Sequence, residues 1–260
     1  MDLTGKTALV TGSNRGIGRA IAEELAKRRL DLLLCGMRDP AKFEPLAPPA
    51  AGASEIRPIQ LDLSGKESIE EGAARLPAVD LLVNNAGLMT GGLLEEQDVD
   101  DIYAMFQVNL VGLVHLTRLV LPGMVERGSG KIVNNASISG YAWFPAASTY
   151  AAAKTGVVAF SESLRRELKD TGVGVLHLVT PGIATDMLDD TKKAYGNHMD
   201  TSGWDEQQPE EWARKVVGAI ESDDHVLGPG GRLALAKLAS RGPAVLVDAI
   251  SERMFSREPR

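Results

Sequence analysis

Residues 7–29 read TALVTGSNRGIGRAIAEELAKRR and combine an apolar run, a glycine-rich turn and an amphipathic segment in direct succession. The run Thr7–Thr11 has the length and apolar character of a buried strand. Apolar residues then recur at helical spacing at Ile17, Ile21 and Leu25, which predicts a helix over residues 16–29. This succession predicts a strand, a tight turn and a helix, the first unit of an α/β fold.

The same alternation continues along the chain. Further strands are predicted at 30–35, 56–61, 80–84, 131–136 and 173–180, and further helices at 99–127 and 150–169. Strands that alternate with helices, and that are apolar along their whole length, are typical of a parallel sheet covered on both faces. We therefore expect one domain over residues 1–231 with a doubly wound parallel sheet, followed by a helical extension at 232–260.

Composition places limits on the class of protein. The 260 residues include one cysteine, Cys35, which excludes an intramolecular disulfide and any cysteine-based zinc site. The four histidines have no metal-ligand spacing, so we predict no metal. Lys and Arg number 28 against 35 Asp and Glu, a formal charge of −7, and this balance argues against nucleic-acid binding.

Nothing in the sequence predicts secretion or membrane insertion. The first residues have neither a basic region nor an apolar region of the secretory type. The apolar stretch 102–125 is interrupted by Gln107, Asn109, His115 and Arg118, whereas a membrane span needs about 20 nearly uninterrupted apolar residues. We interpret this stretch as a buried or interface helix and expect a cytoplasmic protein.

The turn TGSNRGIG at residues 11–18 lies between the first predicted strand and helix. Glycines let a backbone turn sharply and approach a pyrophosphate, which can then lie at the helix N-terminus. The spacing differs from the general G-x-G-x-x-G fingerprint, so the turn by itself is weak evidence. Its strand–turn–helix context favours a dinucleotide site.

The end of the second predicted strand bears on the choice of dinucleotide. NAD sites commonly place an acidic residue there to hold a ribose 2′-hydroxyl, but Gly36, Met37 and Arg38 provide none. Arg38 and Arg15 could pair with a 2′-phosphate, which favours NADPH. Asp39 would favour NAD if the strand ended later, although Asp39-Pro40 has the pattern of a turn or helix start.

Tyr150 and Lys154 are four residues apart, so they share one face of a predicted helix. A tyrosine has a pKa of about 10, and a neighbouring cation stabilises the phenolate and lowers that pKa. Ser137 lies thirteen residues before Tyr150 at the end of a predicted strand, with Ser139 as a competing hydroxyl. These groups could polarise and protonate a substrate oxygen.

Together the motifs resemble the classical short-chain dehydrogenase/reductase family, with its Rossmann-type fold, over about residues 5–186. The matching elements, in the family's order and at its spacing, are TGSNRGIG at 11–18, Asp62-Leu63, NNAG at 84–87, Asn109, Ser137, YAAAK at 150–154 and PGIAT at 181–185. Each motif alone is weak evidence for the family, but seven motifs in the family's order and spacing are specific evidence for it.

The resemblance implies a role for each matching residue. Tyr150 would be the acid or base, Lys154 would lower its pKa and hold the nicotinamide ribose, Ser137 would polarise the substrate oxygen and Asn109 would hold a relay water. Asp62 would accept from the adenine amino group. The implied cofactor-binding set comprises Gly12, Ser13, Asn14, Arg15, Gly16, Ile17, Gly18, Arg38, Asp62, Leu63, Asn85, Ala86, Gly87, Tyr150, Lys154, Pro181, Gly182, Ile183 and Thr185.

The function that this implies is NADPH-dependent reduction of a ketone or aldehyde, or the reverse alcohol oxidation. The alternatives are an NAD-dependent alcohol or steroid-type dehydrogenase and a non-catalytic cofactor-binding regulator. A substrate loop is expected at about 185–208, after the last clear strand. Side chains that suggest an apolar substrate pocket are Leu88, Met89, Trp143, Phe144, Met187, Leu188 and Trp204. Family analogy also implies a homodimer or homotetramer.

The C-terminal region departs from many family members. An apolar helical pattern mixed with basic residues occupies 232–260. We interpret it as a helix packed on the domain or on a partner subunit. A lid over an apolar substrate and a contact with a membrane surface are the alternatives.

Overall fold

In the computed structural model, residues 1–48, 50–196, 198–201 and 206–228 are described. The expected extension at 232–260 and Trp204 lie outside the described residues, so the interpretations placed on them remain predictions.

A seven-stranded parallel sheet forms the centre of the fold. The nine described strands are β1 (Thr7–Thr11), β2 (Leu32–Met37), β3 (Glu55–Gln60), β4 (Leu81–Asn84), β5 (Gly130–Asn135), β6 (Val173–Leu178), β7 (Gly182–Ile183), β8 (Glu206–Gln207) and β9 (Val226–Leu227). The sheet order is β3-β2-β1-β4-β5-β6-β9, and β7 pairs with β8 in a separate small sheet. The expected doubly wound parallel sheet is confirmed, and its strand order reverses beside β1 and β4, where such sheets bind ligands.

Both faces of the sheet are buried because side chains alternate between two cores along each strand. In β1, Ala8 and Val10 face one core and Leu9 faces the other. In β2, Cys35 lies in the first core, and burial raises the pKa of its thiol to about 11. A strand that is buried on both sides must be apolar throughout, which explains the continuous apolar runs of the sequence.

Seven α-helices cover the sheet within the described residues: α1 (Gly16–Ala26), α2 (Lys66–Ala73), α3 (Val99–Phe106), α4 (Leu113–Glu126), α5 (Ser148–Glu167), α6 (Asp186–Gly196) and α7 (Pro209–Glu221). Helices α1 and α7 share the first core, to which Trp212 contributes a fully buried indole. Helices α2, α4 and α5 contribute to the second core. The sequence patterns did not predict α2 or α7, and α6 lies inside the region expected to be a loop.

The predicted helix at 99–127 is interrupted. A π-helical turn at Gln107–Gly112 separates α3 from α4, and it carries the buried Asn109. The extra residue of a π-turn changes the direction in which side chains point, and such turns are frequent at functional sites.

The combined helix Val99–Glu126 is also, among the described residues, the one helix with the length and hydropathy of a membrane span. Its most apolar 18-residue window has a mean hydropathy of 1.5 and is 39% buried. Leu116 and Met124 on this helix pack in the second core with strand residues such as Ile132. A core helix can meet the same length and composition criteria, and packing in the second core accounts for part of the apolar character of this one.

Candidate active site

The glycine turn is shaped by very close backbone approaches. Gly12 has a φ of +65°, and a Cβ there would lie 2.8 Å from the Ala86 Cα atom. Gly16 has a φ of +55°, and a Cβ there would lie 3.3 Å from the Thr185 methyl group. A Cβ on Gly18 would overlap the Gly12 carbonyl oxygen and the Asn85 amide. The turn thus leaves the N-terminus of α1 exposed as a cradle that fits a pyrophosphate.

The packing around Gly18 predicts that Gly18→Ala destabilises the protein. The methyl group must displace backbone atoms of the turn, and overpacking of this kind costs about 3 kcal/mol. We expect a lower midpoint of thermal unfolding and loss of dinucleotide binding, measured by calorimetry and by fluorescence titration.

Gly218→Ala is the matched control, because a Cβ on this helical glycine meets nothing within 4 Å. It should raise stability by up to about 1 kcal/mol through helix propensity. Equal unfolding midpoints for the two variants would contradict the close-packed turn.

The side chains of the glycine turn divide into buried and exposed groups. Ser13 is buried, and both its N–H and its hydroxyl donate to the Gly36 carbonyl at 3.3 Å. Ser13 therefore shapes the turn. Asn14 and Arg15 are exposed, and the Arg15 guanidinium lies 3.8 Å from the Asp186 carboxylate. An exposed pair at this distance is weak and leaves Arg15 accessible to another anion.

The position at which β2 ends agrees with the strand end expected from the sequence. The strand ends at Met37, so Arg38 is the first residue after it and no acid stands at its end. The Asp39 carboxylate accepts a hydrogen bond from the Ala41 N–H at 3.1 Å and caps the short turn Pro40–Lys42. The expectation that Asp39-Pro40 starts a turn is confirmed.

Other predicted cofactor residues lie at the same edge of the sheet. Asp62 and Leu63 follow β3, and the Asp62 carboxylate accepts from the Ser64 N–H at 3.0 Å. Asn85, Ala86 and Gly87 follow β4 and are half-buried.

Asn109 holds the segment that follows Gly87. Its side-chain carbonyl accepts from the Leu88 N–H at 2.7 Å, and its amide donates to the Leu88 carbonyl at 2.8 Å. The buried Asn109 side chain thus fixes the loop after β4. Its expected role in holding a relay water stays a prediction.

Three predicted catalytic residues come together beside this edge. Ser137 follows β5, and its hydroxyl lies near enough to the Tyr150 phenol to lower the pKa of that phenol. Lys154 lies one turn after Tyr150 on α5, with its Nζ atom 5.7 Å from the centroid of the Tyr150 ring. The competing Ser139 donates its N–H to the Ser137 hydroxyl at 3.2 Å, so Ser139 supports Ser137 through its backbone.

The pKa of Tyr150 is raised overall in this structure, and the expectation that Lys154 lowers it stays a prediction. Burial raises the pKa of Tyr150 to about 12, although the nearby Ser137 hydroxyl opposes this change. Burial also lowers the pKa of Lys154 to about 8. The Lys154 ammonium donates to the Asn135 carbonyl at 2.8 Å, and removal of the phenol from water outweighs its distant charge.

A polar network that the motifs did not predict holds Lys154 in place. The Asn135 amide donates to Asn85 Oδ1 at 2.9 Å, while Asn135 Oδ1 accepts from the Thr180 hydroxyl. Asn85 in turn donates to the Thr11 carbonyl at 3.1 Å. The sequence signal that could have identified this network is the position of its residues, because Thr11, Asn135 and Thr180 lie at or just after the carboxyl ends of parallel strands.

The segment after β6 closes one side of the site. Pro181 and the β7 residues Gly182 and Ile183 lead to Thr185, which directly precedes α6. Helix α6 buries Leu188 and Tyr195, whereas Met187 is exposed.

An apolar cluster lies next to the catalytic residues, and we call it the pocket cluster. Its members are Met89, Phe144, Ala146, Ala147, Tyr195 and Met199. A Cβ on Gly91 would overlap the Tyr195 ring, so the ring rests directly on the Gly91 backbone. Burial and the neighbouring Tyr150 raise the pKa of Tyr195 above its ordinary value. Met89 and Phe144 were predicted for an apolar pocket and lie in this cluster, whereas Trp143 is half exposed.

His198 is buried, and its Nε2 atom lies 3.4 Å from the Glu96 carboxylate. Within the described ranges, no group of three His, Cys, Asp or Glu side chains is arranged to hold a metal ion.

The chain is similar in sequence to known oxidoreductases. The family model for short chain dehydrogenases matches residues 6–196. The ketoacyl reductase HetN of Nostoc sp. is 36% identical over 228 residues, which cover 85% of this chain and 77% of HetN. The 3-oxoacyl-[acyl-carrier-protein] reductase FabG of Haemophilus influenzae is 38% identical over 200 residues, 74% of this chain and 81% of FabG.

The fold is also similar to that of a solved short chain dehydrogenase structure. A short chain dehydrogenase from Burkholderia cenocepacia in complex with NADP superposes with a TM-score of 0.79 at 25% identity, covering 97% of this chain and 98% of that one. The family match spans most of the sequence and includes the glycine turn, Ser137, Tyr150 and Lys154. The chain therefore belongs to the short-chain dehydrogenase family of oxidoreductases.

Proposed function

We propose that this protein catalyses NADPH-dependent reduction of a ketone or aldehyde, reversible as alcohol oxidation. The observation that carries the proposal is the convergence of Ser137, Tyr150 and Lys154 beside the glycine turn. The names of the relatives HetN and FabG, both reductases, support the direction of the reaction.

The residues present fit a dinucleotide. The glycine turn gives a cradle free of side chains at the start of α1. We assign the cofactor to the set inferred from the sequence, with Asp62 and Leu63 on the adenine side and Asn85, Ala86 and Gly87 beside the adenine ribose. Pro181, Gly182, Ile183 and Thr185 would lie on the nicotinamide side.

NADPH is preferred over NADH in this proposal because of the end of β2. Arg38 follows the strand directly, and the Asp39 carboxylate is engaged by the Ala41 N–H. The NADP complex of the Burkholderia relative supports the same cofactor. Fluorescence titrations of NADPH and NADH at one salt concentration test this point: tighter NADPH binding is expected, and tighter NADH binding would favour the NAD-dependent alternative.

The side chains of the site provide the proton chemistry. A bound nicotinamide cofactor supplies the hydride that reaches the carbonyl carbon. With its pKa raised to about 12, Tyr150 is protonated at neutral pH and can donate its phenolic proton to the carbonyl oxygen. Ser137 is within hydrogen-bonding reach of the same phenol, so it can polarise that oxygen as well.

Lys154 stabilises the product of that proton transfer. Its pKa of about 8 leaves it mainly protonated at pH 7, and its Nζ atom is 5.7 Å from the Tyr150 ring centroid. A cation at this position favours the phenolate left after Tyr150 has donated its proton. The intact set of Ser137, Tyr150 and Lys154 argues against a non-catalytic regulator.

The pocket cluster favours an apolar substrate. Tyr195 is a wall residue beside Tyr150, fixed by the Gly91 backbone behind its ring. We expect Tyr195→Ala to raise the ratio of kcat/KM for a bulky apolar ketone to that for a small one by at least about tenfold, because a few added methylene volumes are worth this much in a pocket.

Initial-rate measurements on paired ketones check this prediction. Leu94→Ala is the matched control, since Leu94 is 60% exposed and lies outside the pocket cluster. An unchanged ratio in Tyr195→Ala would place the substrate elsewhere.

We also infer that two or four copies associate through the helix Val99–Glu126. Among the described residues, this helix carries four of the seven large apolar side chains that are strongly exposed, namely Val99, Tyr103, Val111 and Val125. Such a patch is typical of a protein interface. A cytoplasmic location goes with this proposal, since the apolar helix is assigned to packing and association.

Substitution of two of these side chains tests the interface. Tyr103→Glu combined with Val111→Glu should give a monomer in sedimentation equilibrium, because two carboxylates would have to be buried. Circular dichroism checks that the variant is folded. A folded variant that keeps the wild-type mass would contradict this interface.

A further inference from the structure

A buried polar array lies behind the catalytic serine. Tyr141 and His177 are both buried, and the Tyr141 hydroxyl lies 2.8 Å from His177 Nε2. Their rings stack with centroids 6.2 Å apart and an interplanar angle of 24°. On the other side of the imidazole, His177 Nδ1 lies 3.7 Å from the Glu162 carboxylate. The mechanism described above uses none of these three side chains.

The charge on Glu162 determines how the array is polarised. Glu162 is paired with Arg165 at 3.2 Å and with Arg166 at 3.0 Å, and these contacts hold its pKa below the ordinary value. A carboxylate facing Nδ1 favours the tautomer that carries its proton there. Nε2 is then the acceptor, and the Tyr141 hydroxyl donates to it.

The array connects three elements that build the active site. Glu162 lies on α5, which also carries Tyr150 and Lys154, and His177 lies on β6. Tyr141 ends the segment 137–141, which we call the serine turn because it begins with Ser137. The array therefore joins the serine turn to the catalytic helix through β6.

Other contacts also hold the serine turn, but they involve its first and middle residues. The far end of the turn is held by Tyr141. Its first part is held by the Ile138 N–H, which donates to the Thr180 carbonyl at 2.9 Å. Its middle is held by Thr155, whose hydroxyl donates to the Gly140 carbonyl at 3.3 Å. A Cβ on Gly140 would lie 3.0 Å from the Lys154 carbonyl oxygen, so the turn already touches the catalytic helix. The buried Tyr141 hydroxyl adds a side-chain contact to β6.

We propose that Tyr141 and His177, oriented by Glu162, are positioning residues that hold the serine turn so that the Ser137 hydroxyl faces Tyr150. The role in turnover rests on the proposed function. Tyr141 and His177 act through Ser137 and need not touch the substrate. A displacement of the turn by a fraction of an ångström would misalign the hydroxyl that polarises the carbonyl oxygen.

A double-mutant cycle between Tyr141→Phe and Ser137→Ala tests this role. Tyr141→Phe keeps the ring and removes only the hydroxyl, so we expect kcat for carbonyl reduction to fall about five- to tenfold, in keeping with the loss of one buried hydrogen bond. The dissociation constant of NADPH should change by less than about twofold, since the glycine turn is untouched. In the Ser137→Ala background, Tyr141→Phe should change kcat by less than about twofold, because the group that it positions is gone.

Ser161→Ala is the matched control. The Ser161 hydroxyl is equally buried on α5, donates to the Val157 carbonyl at 2.7 Å and accepts from the Asn134 amide at 2.9 Å, away from the serine turn. Its removal should lower the unfolding midpoint about as much as Tyr141→Phe while leaving kcat unchanged. An equal loss of kcat from Tyr141→Phe in both Ser137 backgrounds, or no loss in either, would overturn the positioning role.

Amide hydrogen exchange supplies a readout that does not need turnover. Tyr141→Phe should speed exchange of the 138–142 amides, and Ser161→Ala should not. Unchanged exchange in Tyr141→Phe would overturn the attachment of the turn. A wild-type protein that reduces no carbonyl compound would instead contradict the proposed function, and with it the role in turnover, while the exchange result still decides whether the array holds the turn.

Discussion

Replacing Tyr150 with phenylalanine should lower kcat for carbonyl reduction by about 10³-fold. The substitution removes the one phenolic proton that the Ser137 hydroxyl and the Lys154 ammonium are arranged around. General acid catalysis by a positioned side chain is worth about 10²–10⁴-fold, and here the carbonyl oxygen would lose its proton donor altogether. The dissociation constant of NADPH should change by less than about twofold. Steady-state rates and a fluorescence titration check both parts.

Tyr103→Phe is the control for this experiment, because it removes the same hydroxyl from an exposed site on α3. It should have wild-type rates. If Tyr150→Phe retained more than about a tenth of the wild-type kcat, the proton would have to come from another group, and the assignment of Tyr150 would be wrong.

The second large effect is expected from Arg15→Ala combined with Arg38→Ala. We expect the dissociation constant of NADPH to rise about 100-fold while that of NADH changes by less than about threefold. Hydrogen bonds to charged groups contribute about 1.5 kcal/mol or more each, and two guanidinium groups would be lost from one phosphate. Arg15 is exposed at the start of α1 and Arg38 directly follows β2, so both can reach an anion at that edge.

A variant with the same change in net charge separates a local contact from long-range attraction. Arg29→Ala with Arg57→Ala removes two exposed positive charges outside the glycine turn. It should weaken NADPH binding only slightly at moderate salt, because exposed charges are screened over about 10 Å. Equal losses for NADPH and NADH in the Arg15 and Arg38 variant would show that neither side chain recognises the 2′-phosphate.

Much of the fold could be predicted because buried parallel strands leave a clear pattern. The five strands predicted after β1 all exist, with ends displaced by two residues or fewer. Helix α7 was not predicted, although Trp212, Val216 and Ile220 recur at helical spacing and are buried, so its amphipathic pattern was present in the sequence. The π-turn at Gln107–Gly112 was also not predicted, and its Asn109 makes a contact with Leu88 in the loop after β4 that no local pattern indicates.

The candidate site likewise has features that could be predicted from the sequence and features that could not. Ser137, Tyr150 and Lys154 could be identified from spacing, and the structure brings them together. The direction in which the pKa of Tyr150 shifts could not be predicted from the sequence, because burial depends on neighbours that only the folded chain supplies. The network of Thr11, Asn85, Asn135 and Thr180 likewise joins four strand ends that are far apart in sequence.

The most direct test of the central claim is the initial rate of cofactor oxidation with a panel of apolar ketones and aldehydes, using NADPH and NADH at equal concentrations. We expect carbonyl-dependent oxidation that is faster with NADPH than with NADH and is lost in Tyr150→Phe. Binding of NADPH with no oxidation by any carbonyl compound, or oxidation that survives in Tyr150→Phe, would contradict that claim.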